Sequence, residues 1–123
     1  MIKEVIKTWG KEVWLNNDAK YCMKVLHLNK DKRCSYHYHE IKKETFYVSS
    51  GLVELQLPGS KQVLKTGDYV TIEPMTCHFF RGLQESVILE ASSEHFDTDS
   101  YRVLTVDDKS MKIYDKLGKT LDK

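Results

Sequence analysis

The chain has 123 residues and a formal net charge of +1, with 30% charged and 41% apolar residues. This length suffices for one domain with a buried core, and the composition is that of an ordered globular protein rather than a disordered one. Because the charges balance and no apolar run approaches ~18 residues, the sequence predicts neither nucleic-acid binding nor a membrane span.

Short runs rich in Val, Tyr, Phe, Ile and Thr follow one another along most of the chain, and turn residues separate them. Such runs predict β-strands, and a strand about every 8–12 residues is typical of an all-β sandwich or barrel. In chain order the predicted strands are EVWLN (12–16), YCMKVLHL (21–28), RCSYHYH (33–39), TFYVSS (45–50), LVELQL (52–57), KQVLK (61–65), DYVTIE (68–73), HFFRG (78–82), SVILEAS (86–92) and YRVLTV (101–106). We expect a single domain over residues 1–123, with its barrel at about residues 12–106.

The two ends of the chain differ from this pattern. The first residues, MIKEVIKTWGKEVW, contain no apolar block and no small-residue cleavage site, so we expect no signal peptide. The tail at 107–123 is charged, and Ile113, Leu117 and Leu121 recur in it at every fourth position. This spacing favours a short C-terminal helix, with a frayed end as the alternative.

Three cysteines, Cys22, Cys34 and Cys77, are spread along the chain without CxxC spacing. An odd and sparse set favours reduced, buried thiols in a cytoplasmic protein over a disulfide framework. A redox role for Cys77, which precedes a histidine, is the alternative.

Two histidines stand one residue apart in the stretch SYHYHEIKKETFYVSSG. In a β-strand, residues i and i+2 point to the same face, so the side chains of His37 and His39 would project side by side, with Cα atoms roughly 6.8 Å apart. Tyr36 and Tyr38 would point to the opposite face. Both imidazoles could then reach one metal ion. The alternative is that both histidines are surface residues on an exposed strand face.

A carboxylate and a third imidazole follow along the chain. Glu44 would open the next strand after EIKK turns the chain, and His78 follows a turn ordered by Pro74 in TGDYVTIEPMTCHFF. Two or three imidazoles with a carboxylate suit Mn²⁺, Fe²⁺, Co²⁺, Ni²⁺ or Zn²⁺, and they do not discriminate among these ions. We therefore predict one divalent transition metal held by His37, His39, Glu44 and His78, with one or two positions left for water or substrate.

Both stretches resemble the motifs of the cupin family. The first motif, HxHxxxxExxxxxxG, is matched at His37, His39, Glu44 and Gly51. The second motif, which ends in a proline and a histidine, is matched at Gly67, Asp68, Pro74 and His78. The chain departs from the pattern at Met75, where a glycine often follows the proline, and it has no Asn three or four residues after the last histidine. The resemblance implies a double-stranded β-helix, or jelly-roll barrel, with the metal inside its mouth.

Two segments are similar to those of cupin-type sugar isomerases, such as D-lyxose isomerase and relatives of mannose-6-phosphate isomerase. The similarity implies that Lys42 faces a sugar oxygen and that Glu90, within ILEASSEHFDTDSYR, transfers a proton. An isolated buried charge is costly, so a glutamate inside this apolar strand must be paired, ligated or catalytic. Lys43 is an alternative inward lysine, and Glu90 could instead point outward or pair with Arg102.

The resemblance therefore implies a metal-dependent aldose–ketose isomerase that acts on a sugar or sugar phosphate through a cis-enediol. Two other classes stay open: a metal-dependent dioxygenase or oxidase with the same ligand set, and a non-catalytic module that binds a metal and a sugar. A phosphorylated substrate would need cationic partners, for which Lys24, Arg81 and Arg102 are available.

We also expect a homodimer. Small barrel domains bury sheet edges and outward apolar faces against a partner. The run EVWLN and the outward Tyr36 and Tyr38 would supply that surface.

Overall fold

The computed structural model describes residues 3–103, and within this range the chain forms β-strands and one 3-10 turn at Asp97–Asp99. The strands are β1 (Lys3–Lys7), β2 (Gly10–Asn17), β3 (Cys22–Leu28), β4 (His37–Tyr38), β5 (Glu44–Ser50), β6 (Leu52–Leu57), β7 (Ser60–Lys65), β8 (Tyr69–Ile72), β9 (Phe79–Gly82), β10 (Ser86–Ser92) and β11 (Tyr101–Arg102). The all-β prediction is confirmed. The predicted C-terminal helix and tail lie outside the described residues. In the described range, no helix has the length and apolar character needed to cross a bilayer.

The strands form two main layers. Six of them make one sheet in the order β1-β2-β3-β10-β5-β8, three make a second in the order β7-β6-β9, and β11 pairs with β4. All of these strand pairings are antiparallel. Val48 and Ile88 of the large sheet belong to the same buried cluster as Val53, Leu55 and Phe80 of the small sheet. The two layers thus enclose one core, as expected for a jelly roll.

Alternation along two central strands sets both the core and the polar site. In β3, Lys24, Leu26 and Leu28 are buried while the residues between them are only half-buried, and Ile88 and Glu90 are buried in the same way in β10. Glu90 lies directly opposite Lys24 in the β3–β10 ladder. Two charged side chains therefore enter the inner face of the large sheet at one level, because side chains alternate between faces with period two.

The first strand was not predicted from the sequence. β1 pairs with β2 along its whole length, so the sheet begins at Lys3 and not near residue 12. Its residues are exposed on both faces apart from half-buried Val5, so no alternation of apolar and polar residues marks it. Trp9, in the turn that follows, is buried and meets Phe80 edge to face with ring centroids 5.6 Å apart.

The predicted strand RCSYHYH is wrong over most of its length, since only β4 pairs as a strand. Arg33 forms a bridge with Arg81, and His37 forms a bridge with His78. Arg33 and His37 are four positions apart in the sequence, whereas their partners Arg81 and His78 are three positions apart. The register of the two segments therefore shifts by one residue between the bridges. An extra residue of this kind interrupts the ladder and leaves isolated bridges.

Tyr36 and Tyr38 are buried, which corrects the expectation that they form an outward dimer surface. Their exposed fractions are 2% and 6%. The ring of Tyr36 meets Phe79 edge to face at 5.8 Å, and Tyr38 stacks on Tyr101 at 5.1 Å between centroids. Strand alternation does turn these tyrosines away from the neighbouring histidines, but that second face is also covered. They cannot serve as an exposed contact surface.

The predicted burial of the three cysteines is confirmed. Cys22, Cys34 and Cys77 are free and buried. Burial raises the pKa of Cys34 to about 12 and that of Cys77 to about 11, so neither thiol is a reactive thiolate at neutral pH.

Met75 occupies the position where the motif usually has glycine, and its backbone is in the left-handed region with φ of 68°. For a residue with a Cβ atom, the left-handed conformation costs roughly 1–2 kcal/mol of folding free energy. The Met75 side chain is 63% exposed, so packing offsets little of this cost. The turn is nevertheless tied to the site, because the Met75 N–H donates to the carbonyl of His39 at 2.6 Å.

Replacing Met75 with glycine should raise the free energy of unfolding by about 1 kcal/mol, because glycine adopts positive φ without the Cβ penalty. Urea unfolding at pH 7 measures the change. Met75→Ala is the matched control, since it removes the same side chain but keeps Cβ, and it should not stabilise the protein. Equal stability of the glycine and alanine variants would contradict backbone strain at this turn.

Candidate metal centre

Three histidines from two distant stretches meet at the inner face of the barrel. His37 lies in β4, His39 follows that strand, and His78 directly precedes β9. Candidate ligand atoms of the three rings lie within 4.8 Å of one another. The backbones of His37 and His78 exchange two hydrogen bonds, of 3.1 and 2.9 Å, so the antiparallel bridge itself brings the two motifs together.

Each ring is oriented by a backbone carbonyl. The distances from Nδ1 to the carbonyl oxygen are 2.6 Å for His37, 2.9 Å for His39 and 2.8 Å for His78, and the carbonyls belong to Ser35, Asp99 and Thr76. A carbonyl oxygen only accepts, so each ring donates its Nδ1–H. In the neutral rings Nε2 is then left as a bare lone pair, which is how metal-binding histidines are prepared.

Burial also favours neutral rings. It lowers the pKa of His37 to about 3, with a further contribution from nearby His78, and it lowers the pKa of His39. A neutral imidazole is the form that binds a metal.

Glu44, the first residue of β5, lies against two of the three histidines. Its Oε2 lies 3.1 Å from Nε2 of His78 and 3.5 Å from Nε2 of His39. Burial alone would raise the pKa of Glu44, but the ammonium of Lys42 helps to hold it below its usual range, so the group stays ionised.

The donors of Glu44 and His78 fit a divalent cation. Oε2 of Glu44 and Nε2 of His78 are both buried, and neither has a hydrogen-bond partner among the described residues. Since the ring donates from Nδ1, two lone pairs face each other. Neighbouring ligands of an ion with bonds of about 2.1 Å are about 3 Å apart, so a bound metal would satisfy both atoms.

Asp99, which is about 60 residues away in the sequence, holds His39 and the segment after it in place by hydrogen bonds. It is 3% exposed, and its backbone carbonyl is the one that orients His39. Its carboxylate accepts hydrogen bonds of 2.9 to 3.0 Å from the backbone N–H groups of Glu40, Ile41 and Lys42. One residue therefore fixes both a candidate ligand and the turn that carries Lys42, a role that was not predicted from the sequence.

Lys42 and Glu90 form a buried pair. The exposed fractions are 3% and 4%, and Nζ lies 3.1 Å from Oε2 of Glu90 and 3.5 Å from Oε1 of Glu44. Lys43, the alternative inward lysine, has a side chain that is 60% exposed. Glu90 points inward, and its partner is Lys42 rather than Arg102.

The pKa values of the two glutamates beside Lys42 shift in opposite directions. Burial raises the pKa of Glu90, although the charge of Lys42 opposes this shift, whereas the pKa of Glu44 is lowered. Burial alone would lower the pKa of Lys42, but Glu90 and Glu44 raise it above its usual value. Carboxylates whose pKa values are driven apart are typical of sites where one holds charge and the other moves a proton.

Apart from His78 and Asp99, these groups line a cavity of about 900 Å³. Its volume is within the range of small-molecule sites. Trp14, from the run EVWLN that was expected to supply a dimer surface, forms part of its wall, as do Lys24 and Arg102. Arg81 instead bonds Glu54 at 2.7 Å and is not among the residues that line the cavity.

His95 also lines the cavity, and it was not singled out from the sequence. Its Nδ1 lies 3.2 Å from Nζ of Lys42 and 3.4 Å from Nζ of Lys24, and its Nε2 lies 3.0 Å from Oδ1 of Asp97. Burial and the two lysine charges lower the pKa of His95 to about 4. The ring is neutral, accepts from the lysines at Nδ1 and donates from Nε2. It follows β10 in a loop, where no periodicity or motif marks it.

Comparison with known proteins agrees with this arrangement. Residues 24–91 match the family model Cupin_2, described as Cupin domain. This protein belongs to the cupin family. The matched residues make up more than half of the chain and include the first histidine pair and His78.

Curated relatives of this cupin include sugar-related proteins. The D-lyxose/D-mannose isomerase of Thermosediminibacter oceani is 30% identical over 115 residues, which is 72% of this chain and 63% of the isomerase. The pectin degradation protein KdgF of Dickeya dadantii is 30% identical over 88 residues, which is 72% of this chain and 73% of KdgF. An uncharacterised protein of Aquifex aeolicus is 44% identical over 69 residues, and the matches cover 54% of the cupin and 57% of that protein. The cupin thus spans less than two thirds of the Aquifex protein and of the isomerase.

A solved structure shows the same fold. KdgF from Halomonas sp. matches this cupin with a TM-score of 0.71 at 19% identity, over 80% of the cupin and 91% of KdgF. At this identity the likeness shows the cupin jelly roll alone.

We predict that one divalent transition-metal ion binds per chain, at His37, His39, Glu44 and His78. The double variant His37→Ala/His39→Ala should lose most of the bound metal, because two of the four preorganised donors disappear. Elemental analysis after dialysis measures metal per chain. His27→Ala is the matched control, since His27 lies on β3 at an outward position. Full metal content in the double variant would contradict this ligand set.

Proposed function

We propose that this cupin is a metal-dependent aldose–ketose isomerase that acts on a sugar or sugar phosphate. The observation that carries the proposal is the buried contact of 3.1 Å between Lys42 and Glu90 beside the three-histidine group. The similarity to a D-lyxose/D-mannose isomerase supports the same class of chemistry.

Isomerisation moves a proton between adjacent carbons and a second proton between the oxygens on them. Glu90 would take the proton from the carbon next to the carbonyl and return it to the former carbonyl carbon, so that the substrate passes through a cis-enediol. Its raised pKa suits a carboxylate that must hold that proton between the two transfers.

Lys42 would act on the oxygens. Its ammonium would donate a proton to the carbonyl oxygen as the C–H proton leaves, and would recover one from the neighbouring hydroxyl. The hydrogen bond between Lys42 and Glu90 would hold the acid, Lys42, near the substrate oxygens and the base, Glu90, near the carbons that bear them. Transfer of the two protons needs this geometry.

A divalent ion held by His37, His39, Glu44 and His78 would supply Lewis-acid polarisation of the carbonyl. Three of these residues, His37, His39 and Glu44, line the cavity, and His78 lies beside Glu44.

Two other functions use the same ligand set: oxygen activation, and metal and sugar binding without turnover. Oxygen activation requires no buried lysine–glutamate pair, which is why we favour isomerisation. The test is turnover on a panel of aldoses, ketoses and their phosphates, with oxygen consumption monitored in parallel. Isomerisation without oxygen uptake would support the proposal. Substrate-dependent oxygen uptake, or saturable sugar binding with no turnover, would support the respective alternative instead.

Glu90→Gln should lower kcat by roughly 100-fold or more, because the amide keeps the shape of the side chain and removes the base. Metal content and KM should change little, since the candidate ligands are untouched. Deuterium at C2 of the aldose should exchange with solvent in the wild type and remain in the variant. Loss of the metal, or unchanged turnover, would show that Glu90 does not carry the proton.

The homodimer stays a prediction, as does the cytoplasmic location. Tyr47 and Tyr69 pair across β5 and β8 and are 42% and 72% exposed, and β8 is an edge strand of the large sheet. An open edge with aromatic side chains is suited to contact with a second copy. Light scattering at tens of micromolar, roughly the range where ordinary interfaces are occupied, should give the mass of a dimer. A monomer mass at that concentration would contradict the prediction.

A further inference from the structure

His95 is held in one orientation by three residues. The side-chain amide of Asn17 clamps its backbone, since Oδ1 accepts from the His95 N–H at 2.8 Å and Nδ2 donates to the His95 carbonyl at 3.1 Å. The ring meets Trp14 edge to face with centroids 5.0 Å apart. Its Nε2–H donates to Asp97 at 3.0 Å. The ring is therefore fixed before any substrate arrives.

This fixed ring presents one lone pair to two buried ammonium groups. Nδ1 accepts from Lys42 at 3.2 Å and from Lys24 at 3.4 Å. Lys42 also contacts Glu90 at 3.1 Å, and Lys24 approaches Glu12 at 3.7 Å. A neutral acceptor is thus shared by two cations, each of which also has a carboxylate partner.

We propose that His95 is a positioning residue that directs the ammonium of Lys42 toward Glu90. The effect of this positioning on catalysis rests on the proposed isomerase function. A lysine side chain has several rotatable bonds, and Lys42 has two carboxylates within reach, at 3.1 and 3.5 Å. The lone pair of His95 supplies a third fixed point, which selects one direction for the three N–H bonds of the ammonium.

His95 acts through Lys42 and does not itself exchange protons with the substrate. Its Nδ1 already accepts from two ammonium groups and its Nε2–H is held by Asp97, so neither ring nitrogen is left to exchange a proton with a substrate. The ring is suited to orient the charge, and a misplacement of about 1 Å in a reacting group costs on the order of 100-fold in rate.

Two substitutions separate orientation from mere packing. His95→Leu removes the acceptor at nearly constant volume, whereas His95→Asn keeps an oxygen close to the position of Nδ1. His27→Leu is the matched control at an outward position of β3. Metal content of all variants should equal that of the wild type, because His95 is not a candidate ligand.

The first measurement needs neither a metal nor a substrate. Long-range ¹H–¹⁵N NMR spectra of the metal-free wild type at pH 7 should show His95 as the neutral form with its proton on Nε2. The ammonium signal of Lys42 should shift or broaden in His95→Leu and return toward the wild-type position in His95→Asn. A proton on Nδ1, a charged ring, or a Lys42 signal that is indifferent to His95→Leu would overturn the inference.

The second measurement is kinetic, on the metal-loaded protein. His95→Leu should lower kcat by about 10- to 100-fold with little change in KM, and His95→Asn should recover most of that loss. Full kcat in His95→Leu would overturn the inference while leaving the isomerase proposal intact. If the wild type shows no isomerisation, the proposed function fails, and the NMR spectra still decide whether His95 directs Lys42.

Discussion

The contact between Glu44 and His78 is the constraint around which the rest of the site is arranged. Two buried atoms with lone pairs lie 3.1 Å apart without a hydrogen bond between them. Such an arrangement is unfavourable unless a cation shares both atoms. The backbone carbonyl at Thr76 takes the ring proton at Nδ1, so a neutral His78 has no proton left to donate to Glu44. Lys42 lies 3.5 Å from the other carboxylate oxygen and helps to keep the carboxylate ionised, which is the form that binds a cation.

Much of this centre could be predicted because it depends on local geometry. Strand alternation alone placed His37 beside His39, which agrees with the structure, whereas it left open whether Glu90 points inward. The error over Tyr36 and Tyr38 shows the limit of that reasoning. Alternation tells which residues point away from a site, but whether the second face is open depends on distant partners such as Phe79 and the strand β11.

The supporting residues could not be predicted, because their partners are remote in the chain. The carboxylate of Asp99 bonds backbone groups 57 to 59 residues away, and Asn17 clamps a backbone 78 residues away. Neither Asp99 nor His95 lies in a strand, so no periodicity marks its direction. β1 was missed for a related reason, since a strand exposed on both faces has no apolar pattern. What such residues do is decided by the fold that brings them together, and their identity alone gives no signal.

The neutral state of His95 also bears on the division of work between the two glutamates. Glu44 and Glu90 are chemically alike and both contact Lys42, yet the pKa of one is lowered and that of the other is raised. The raised value persists although Lys42 and Lys24 both oppose it, so burial is the stronger effect. A cationic ring at His95 would add a third positive charge to this cluster and lower the pKa of Glu90 further. Keeping the ring neutral leaves Glu90 able to hold a proton, while its hydrogen bond to Lys42 still orders the acid beside the base.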